Sequence, residues 1–260
     1  MSLNVTSNIG VIGYNNTNTS KNGFVAVAGT SEYSAYSTDG INWTDFKISD
    51  SMNIYWSSVS YGNGIYVAFP SASKYYAYSY DGINWTETQF TNVSITGKVC
   101  FGNGKFVVCS ATSNAASNTF AIYSSTDGIN WTTATDISQL SYEFLEEYTG
   151  FFIDGDITKL YPCYGNGKFV AVTDNYSLSI YSTDGLTWTR VVINESTNIK
   201  FRAICYGNDK FVAVAYNTNY FAYSSDGITW TTGRLPSSRD WWSVCYGNGK
   251  FVAVGNSSPV

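Results

Sequence analysis

The stretch YSTDGINWT, residues 36–44, recurs along the chain and decides the fold class. Close copies lie at residues 78–86, 181–189 and 223–231, and a copy with one extra residue lies at 123–132. A second stretch, YGNGIYVA from residue 61, recurs from residues 101, 164, 206 and 246, with a degenerate copy at 14–27. Both stretches repeat about every 42 residues, a period typical of β-propeller blades.

Each repeat contains the signals of four short strands. In the second repeat, apolar and aromatic residues alternate over 56–61, 66–69, 76–80 and 83–88. An Asn-Gly turn joins the first two strands, and an Asp-Gly turn joins the last two. Such dipeptides between apolar runs are strong hairpin signals, because the tight turn needs positive φ. The sequence therefore predicts an all-β propeller.

The number of blades follows from counting the repeats. Five are complete, and a sixth contains only its first two strands, over 241–255. We expect six blades of about 42 residues, with the truncated last blade closed by an N-terminal strand at residues 3–6. Five blades with an extra hairpin are the alternative. The whole chain, 1–260, is expected to form one domain, with an insertion at about 133–160 that forms a loop or a short helix.

The Ser-x-Asp-Gly-x-x-Trp pattern resembles the Asp-box of sialidases and other BNR-type β-propellers. The usual box has one more residue between its Asp and its Gly. The resemblance implies that the box is a structural turn, with the Asp accepting backbone N–H bonds and the Trp packing between blades. The residues to which this structural role is assigned are Asp39, Asp81, Asp127, Asp184, Asp226, Trp43, Trp85, Trp131, Trp188 and Trp230.

Composition excludes several kinds of chemistry. The chain has no histidine, so a His-based triad and a His-ligated metal are impossible. Its net charge is −5 with only 14 Lys and Arg, which argues against nucleic acid or an anionic membrane as partner. We expect no metal and no cofactor. The odd number of cysteines, five, and an N-terminus without a secretory signal indicate free thiols and synthesis in the cytoplasm. We expect the protein then to be virion-associated or extracellular after release.

Loops that vary between repeats are the candidate recognition surface. The Asn-Gly and Asp-Gly turns lie at one end of the blades and are nearly identical, whereas the loops at the other end vary and are rich in Tyr, Ser, Asn and Thr. An aromatic rim able to stack on sugar rings is one interpretation of the residues there, and packing between the innermost strands is the other. The candidate ligand-binding residues are Trp56, Tyr75, Phe201, Arg202, Arg239, Trp241 and Trp242.

Three functions compete. A sialidase-like glycoside hydrolase would need arginines from separate blades, but all four arginines lie in the last third of the chain. It would also need paired carboxylates, and Glu143, Glu146 and Glu147 share one insertion. The repeat idiom resembles propellers of bacteriophage structural and tail-associated proteins. We therefore expect a non-catalytic propeller that binds a host cell-surface glycan or docks onto other virion subunits, with a purely structural decoration protein as the third reading.

Overall fold

A computed structural model describes residues 9–14, 23–29, 31–51, 54–91, 94–114, 117–134, 159–174, 177–194 and 199–256. The N-terminal strand predicted at residues 3–6 and nearly all of the insertion predicted at 133–160 lie outside these residues. Within them the chain forms an all-β propeller of five blades, each an antiparallel sheet whose strands follow one another in chain order.

Blades 1 to 3 have four strands each. Blade 1 consists of β1 (Ile9–Tyr14), β2 (Gly23–Ala28), β3 (Tyr33–Ser37) and β4 (Thr44–Lys47). Blade 2 consists of β5 (Trp56–Gly62), β6 (Ile65–Pro70), β7 (Tyr75–Ser79) and β8 (Thr86–Gln89). Blade 3 consists of β9 (Ile95–Gly102), β10 (Lys105–Asn114), β11 (Ser117–Ser125) and β12 (Thr132–Thr133).

Blade 4 repeats this plan, and blade 5 adds a strand. Blade 4 consists of β13 (Leu160–Gly165), β14 (Lys168–Thr173), β15 (Leu178–Ser182) and β16 (Thr189–Val192). Blade 5 consists of β17 (Phe201–Gly207), β18 (Lys210–Ala215), β19 (Thr218–Ser224), β20 (Thr231–Gly247) and β21 (Lys250–Asn256). The first strand of each blade is the innermost, and these strands pack side by side from blade to blade.

The two repeated turns have the backbone conformations that their residues favour. Between the first and second strands of blades 2 to 4, an Asn-Gly pair has positive φ at both residues, for example 47° at Asn63 and 83° at Gly64. Asn63 Nδ2 donates to the carbonyl oxygens of Gly104 (2.9 Å) and Thr126 (2.8 Å) in blade 3. These contacts place both kinds of turn at one end of the blades, which we name the turn face. The opposite end is the loop face.

The Asp-Gly turn is held by the same hydrogen bonds in every blade. In blade 4, Asp184 Oδ1 accepts the backbone N–H groups of Leu186 and Thr187, both at 2.8 Å, and the Ser182 hydroxyl at 2.9 Å. The N–H groups of Thr187 and Leu186 keep the pKa of Asp184 below its usual value, against the opposing effect of burial. The carboxylate therefore acts as an acceptor for its own turn, as the sequence predicted.

The glycine at the end of each of β5, β9, β13 and β17 receives an aromatic ring from the next inner strand along the chain. A Cβ atom built on Gly62 would overlap the ring of Phe101, and one built on Gly165 would overlap the ring of Tyr206. The full series pairs Gly62 with Phe101, Gly102 with Tyr164, Gly165 with Tyr206 and Gly207 with Tyr246. Only a residue without a side chain leaves room for this contact, which explains why the aromatic-Gly pair recurs.

The prediction of six blades is wrong, and the alternative of five blades with an extra hairpin is confirmed. The strand β20 leaves β19 and continues into the inner position beside β17, where β21 pairs with it. The hairpin therefore belongs to the sheet of blade 5. Third and fourth strands that would make it a separate blade are absent from the described residues.

Both ends of the blade series are uncovered. Val252 and Val254 of β21 are 51% and 55% exposed, although their counterparts in blade 4, Val170 and Val172, are fully buried by blade 5. At the other end Trp43 is 36% exposed. Among the described residues, no packing like that between neighbouring inner strands joins β1 to β20 or β21. The repeats therefore present their interblade faces to solvent at the two ends.

Replacing Asp184 with Ala removes three accepted hydrogen bonds and should lower the free energy of unfolding by about 1 kcal/mol. Asp45→Ala is the control, because Asp45 is exposed in β4. Urea titration of both variants measures the difference. Equal stability of the two variants would contradict the role assigned to the turn.

Gly165→Ala should cost about 1–3 kcal/mol, because the new methyl group overlaps the Tyr206 ring. Gly247→Ala, at the same position of the last hairpin, should change stability by less than about 0.5 kcal/mol, since no described atom lies within 4 Å of its Cβ position. Thermal melting of the two variants provides the comparison. An equally large loss at Gly247 would show that another blade packs there and that the end is closed.

Candidate functional site

Two of the seven predicted binding residues are core residues. Trp56 and Phe201, which begin β5 and β17, are fully buried and pack in the clusters between blades 1 and 2 and between blades 4 and 5. Neither ring can reach a ligand from this position, which corrects their assignment to an exposed rim. Trp241 has the equivalent position in the last hairpin, where it is only partly buried because no further blade covers it.

β-Bulges bring the next residue of these strands to the loop face. The ladder between β17 and β18 skips Arg202, and the ladder between β20 and β21 skips Trp242. A bulge leaves its extra residue unpaired and changes the direction of the side chain. Here it separates a buried aromatic residue from a neighbour that remains partly exposed. The sequence contains no signal for these bulges.

Arg202 and Trp242 meet Tyr216 at the loop face of blade 5. The Arg202 guanidinium lies 3.6 Å from the centre of the Tyr216 ring and 4.7 Å from that of Trp242. The two rings are 5.8 Å apart and nearly perpendicular. Within the described part of the chain, Arg202 Nε is buried and has no hydrogen-bond acceptor. The three side chains form a partly exposed cluster, which we name the Arg202 cluster.

A second cation–aromatic pair lies in the same blade. Arg234 stacks at 4.1 Å on Tyr220, donates to the Tyr220 hydroxyl at 2.7 Å and donates to Asn219 Oδ1 at 2.7 Å. Arg239, the other predicted binding residue here, is exposed and donates from Nε to the Ser237 hydroxyl at 2.7 Å. Blade 5 thus presents three of the four arginines at its loop face.

Cation–aromatic pairs also occur at the loop face of blades 1 and 2. The Lys47 ammonium lies 5.0 Å from the Tyr33 ring centre and forms an ion pair with Glu32 at 2.9 Å. The Lys74 ammonium lies 5.4 Å from the ring centre of Tyr75, another predicted binding residue. Tyr33, Tyr75 and Tyr220 all lie near the start of a third strand, so the repeat delivers an aromatic side chain to this face more than once.

Two lysines lie beside this face, one in an innermost strand and the other immediately before one. Lys98, in β9, donates from Nζ to the carbonyl oxygen of Ser57 at 2.8 Å. Burial and the neighbouring charge of Lys159 lower the Lys98 pKa to about 8. Lys159 precedes β13, and its backbone N–H donates to Asp174 Oδ1 at 3.0 Å. Lys98 is not among the predicted binding residues, because the equivalent position in other blades holds unrelated residues.

The residues assigned to a structural role lie away from the loop face. The five Asp residues hold the Asp-Gly turns. The Trp residues of blades 2 to 5 pack against the preceding blade, as where Trp85 stacks with Phe46 at 6.4 Å. Trp188 is 2% exposed, whereas Trp43 in blade 1 has no preceding blade to cover it. In these positions the Trp side chains contribute to the packing between neighbouring blades.

The cysteines and acidic residues offer no metal centre within the described part of the chain. No group of three or more Cys, Asp and Glu residues is placed there to hold an ion. All five cysteines are free, and burial raises the pKa of Cys163 and of Cys205 to about 12, so neither is a ready nucleophile.

The described residues also include no helix long and apolar enough to cross a membrane.

Comparison with known proteins supports the fold alone. No family model and no curated protein matches the sequence. An inactive variant of virginiamycin B lyase from Staphylococcus aureus, solved with quinupristin, aligns with a TM-score of 0.66 at 10% identity, over 91% of this chain and 78% of that chain. The luciferin-regenerating enzyme (0.56, 11%, 87% and 76%) and a nidogen/laminin complex (0.57, 9%, 85% and 79%) are also similar. These neighbours include enzymes and a protein complex, and at identities of 9–11% the structural similarity shows a shared propeller fold alone.

Lys98→Met should raise the free energy of unfolding at pH 7 by on the order of 1 kcal/mol, because it removes a charge whose solvation the fold restricts. The folded-state pKa of about 8 lies below the unfolded value of about 10.5. The charge therefore destabilises the fold fully below pH 8, and stability recovers as pH rises from 8 towards 10.5. Urea titrations at pH 7 and 10 measure the gap between the two proteins. A gap that does not shrink at pH 10 would contradict the lowered pKa.

Proposed function

We propose that this chain is a non-catalytic binding propeller that recognises a cell-surface glycan through the loop face of blade 5. The observation that carries the proposal is the Arg202 cluster, in which Tyr216 and Trp242 remain partly exposed beside an arginine. Aromatic faces stack on the apolar faces of sugar rings, and guanidinium groups bind their hydroxyl groups. The pair formed by Arg234 and Tyr220 extends the same chemistry along the blade.

Rigid support favours a binding role for these side chains. Arg202 and Trp242 project from bulges in the innermost strands, and Tyr216 follows the second strand of blade 5. Side chains held in place by a sheet lose little conformational entropy on binding, which favours affinity. The arrangement therefore supplies several fixed contacts for one extended ligand.

The carboxylates favour binding over glycoside hydrolysis. Ordinary glycosidases place two carboxyl groups about 5–10 Å apart across the scissile bond. The carboxylates of this region in the described part of the chain include Asp174 of blade 4, which accepts the backbone N–H of Lys159, and Asp240 of blade 5, which lies in β20 two residues before Trp242. Glu143, Glu146 and Glu147 lie outside the described residues. We therefore propose that the loop face binds a glycan rather than hydrolyses it.

The biological setting in this proposal rests on the repeated sequence motif. The Ser-x-Asp-Gly turn, with Asp as acceptor and Trp packed on the preceding blade, behaves as the Asp-box resemblance implies. We extend the proposal to an Asp-box propeller of a virion or tail-associated protein. Such a protein would use the loop face to contact its host and the uncovered ends to contact other subunits.

A glycan-array and whole-cell binding screen tests the proposal, with Tyr216→Ala/Trp242→Ala as the site variant. Loss of both rings should weaken binding at least about tenfold, since each ring would no longer bury an apolar face of the sugar, a contact worth on the order of 1 kcal/mol. Tyr80→Ala is the matched control, because Tyr80 is largely exposed beside an Asp-Gly turn on the turn face. Equal binding by the two variants, or no binding of the unmodified protein to any sugar or cell, would overturn the proposed function.

A further inference from the structure

The last hairpin has the sequence of a central strand at the edge of its sheet. Its second strand, β21, contains Lys-Phe-Val-Ala-Val at 250–254, and β14 and β18 contain the same five residues at 168–172 and 210–214. A third strand pairs with β14 and another with β18, so both lie between two neighbours. Among the described residues β21 lies at the end of its sheet, with β20 on one side. The same sequence therefore has two paired edges in blades 4 and 5 and one in the last hairpin.

Third strands pair with second strands in a repeated register. In blade 4 Phe169 is opposite Ser182. The next pair joins Val170 to Tyr181, and blades 1 and 5 have the same two kinds of pair. The serine opposite the aromatic residue is buried in all five blades. A strand that pairs with β21 in this register would place Ser opposite Phe251 and Tyr opposite the residue that follows it.

The outer edge of β21 presents backbone groups that can pair with such a strand. Alternate residues of an antiparallel strand direct their N–H and C=O groups to the same side. Lys250 pairs with Gly247 across the two-residue turn, so Phe251 and Ala253 direct these groups to the outer edge. The outermost strands of blades 1 to 4 have two to four residues, whereas β21 has seven. A long apolar edge strand is a template for pairing with another chain.

A pair of aromatic rings lies uncovered on the outer part of the same blade. Tyr223 is 36% exposed, and its ring stacks with that of Phe221 at 6.1 Å. The equivalent residues of blade 2 are Tyr76 and Tyr78. There, the Trp131 ring of blade 3 lies 6.0 Å from Tyr76, which is 2% exposed. In the described part of the chain, no tryptophan of a following Asp-Gly turn covers the rings of blade 5 in this way.

We propose that the outer edge of β21, together with Phe221 and Tyr223, is a docking surface for a β-hairpin of another polypeptide that carries the Tyr-Ser-x-Asp-Gly-x-x-Trp pattern. The first strand of that hairpin pairs with β21 as β15 pairs with β14, and its Trp covers Phe221. The partner thereby supplies a third and a fourth strand, and the last hairpin becomes a four-stranded blade. In such strand addition, main-chain hydrogen bonds provide affinity and side-chain contacts provide specificity.

This inference rests on one part of the proposed function, the assignment of the uncovered ends to contacts with other subunits. It adds the surface that is used at one end and the kind of segment that binds there. The glycan site on the loop face does not depend on it, because Phe221, Tyr223 and β21 are not part of the Arg202 cluster.

A fluorescein-labelled peptide of residues 178–192, LSIYSTDGLTWTRVV, is the probe. In the protein this segment forms β15 and β16, and its first strand pairs with the Lys-Phe-Val-Ala-Val sequence of β14. Fluorescence anisotropy should show saturable binding to the unmodified protein. The control peptide has Ile180→Pro, at the residue opposite Ala171 in blade 4. It should bind at least about tenfold more weakly, because proline has no N–H to donate to the edge.

Ala253→Pro tests the edge from the side of the protein. It removes an N–H directed away from β20, a position where an edge strand tolerates proline, and thermal melting verifies that the variant is folded. Affinity for the peptide should fall at least about tenfold, whereas the control Ala253→Gly, which retains the N–H, should stay within about threefold.

Tyr223→Ala tests the aromatic part of the surface without altering β21. Loss of this ring should weaken binding of the peptide at least about threefold, because the ring no longer packs beside the incoming Trp. The matched control is Tyr80→Ala, an exposed tyrosine on the turn face of blade 2. Equal affinities of the two tyrosine variants would contradict the part assigned to the rings.

The remaining outcomes decide the docking surface as a whole. It is overturned if the unmodified protein does not bind the peptide, or if Ala253→Pro and Ala253→Gly bind it equally well. A variant that lacks residues 1–8 is titrated beside them. Binding by that variant alone would show that the N-terminal segment of this chain occupies the edge, and it would overturn docking of a partner. The glycan-array and cell screen decides the proposed glycan site separately.

Discussion

The contact between an aromatic ring and a glycine of the preceding inner strand sets the spacing of the whole propeller. It recurs four times, from the pair of Gly62 and Phe101 to the pair of Gly207 and Tyr246. Because the ring lies where a Cβ would be, neighbouring inner strands approach more closely than any residue with a side chain would allow. The residue before each of these four aromatics is Cys, whose small side chain is consistent with little space beside the ring. The second strands then bury their valines against the next blade, as Val170 does against blade 5.

The same contact explains why the two ends of the chain differ from its middle. No described aromatic ring contacts Gly247. Val252 and Val254 are exposed, whereas the equivalent residues Val170 and Val172 are buried by the next blade. In blade 1 the strand pairing places Gly13 opposite Phe24, where blade 2 pairs Tyr61 with Tyr66. The backbone register of β1 thus has glycine at the position that would supply a ring to the preceding blade. The first blade is therefore not built to fill the slot at Gly247 in the way that the internal blades fill theirs.

Local features of the fold could be predicted from the sequence because each is fixed by a few neighbouring residues. The Asn-Gly and Asp-Gly turns require positive φ at positions where the repeat has Gly or Asn, and the structure has it at Gly64 and at Gly185. The number of blades depends on how the first and last repeats pack. The sequence of a single repeat carries no information about that packing. The burial of Trp56 and Phe201 depends on bulges at the following residue, and a bulge changes which neighbour faces outward without changing the hydrophobic pattern.

The candidate site lies at positions of the repeat where the residue differs from blade to blade. At the turn face, one Asp and one Gly per blade form the same turn, and one Trp per blade follows it. These residues are therefore the same in every blade. Along the inner strands at the loop face, the position of Lys98 is held by Ser58 in blade 2 and Tyr161 in blade 4, so packing does not require lysine there. A lysine whose pKa is lowered to about 8 opposes folding at neutral pH, and its only described hydrogen bond goes to a backbone carbonyl. A charge that reduces stability and that the scaffold does not need is best explained by what it binds, which is why recognition is assigned to this edge of the propeller.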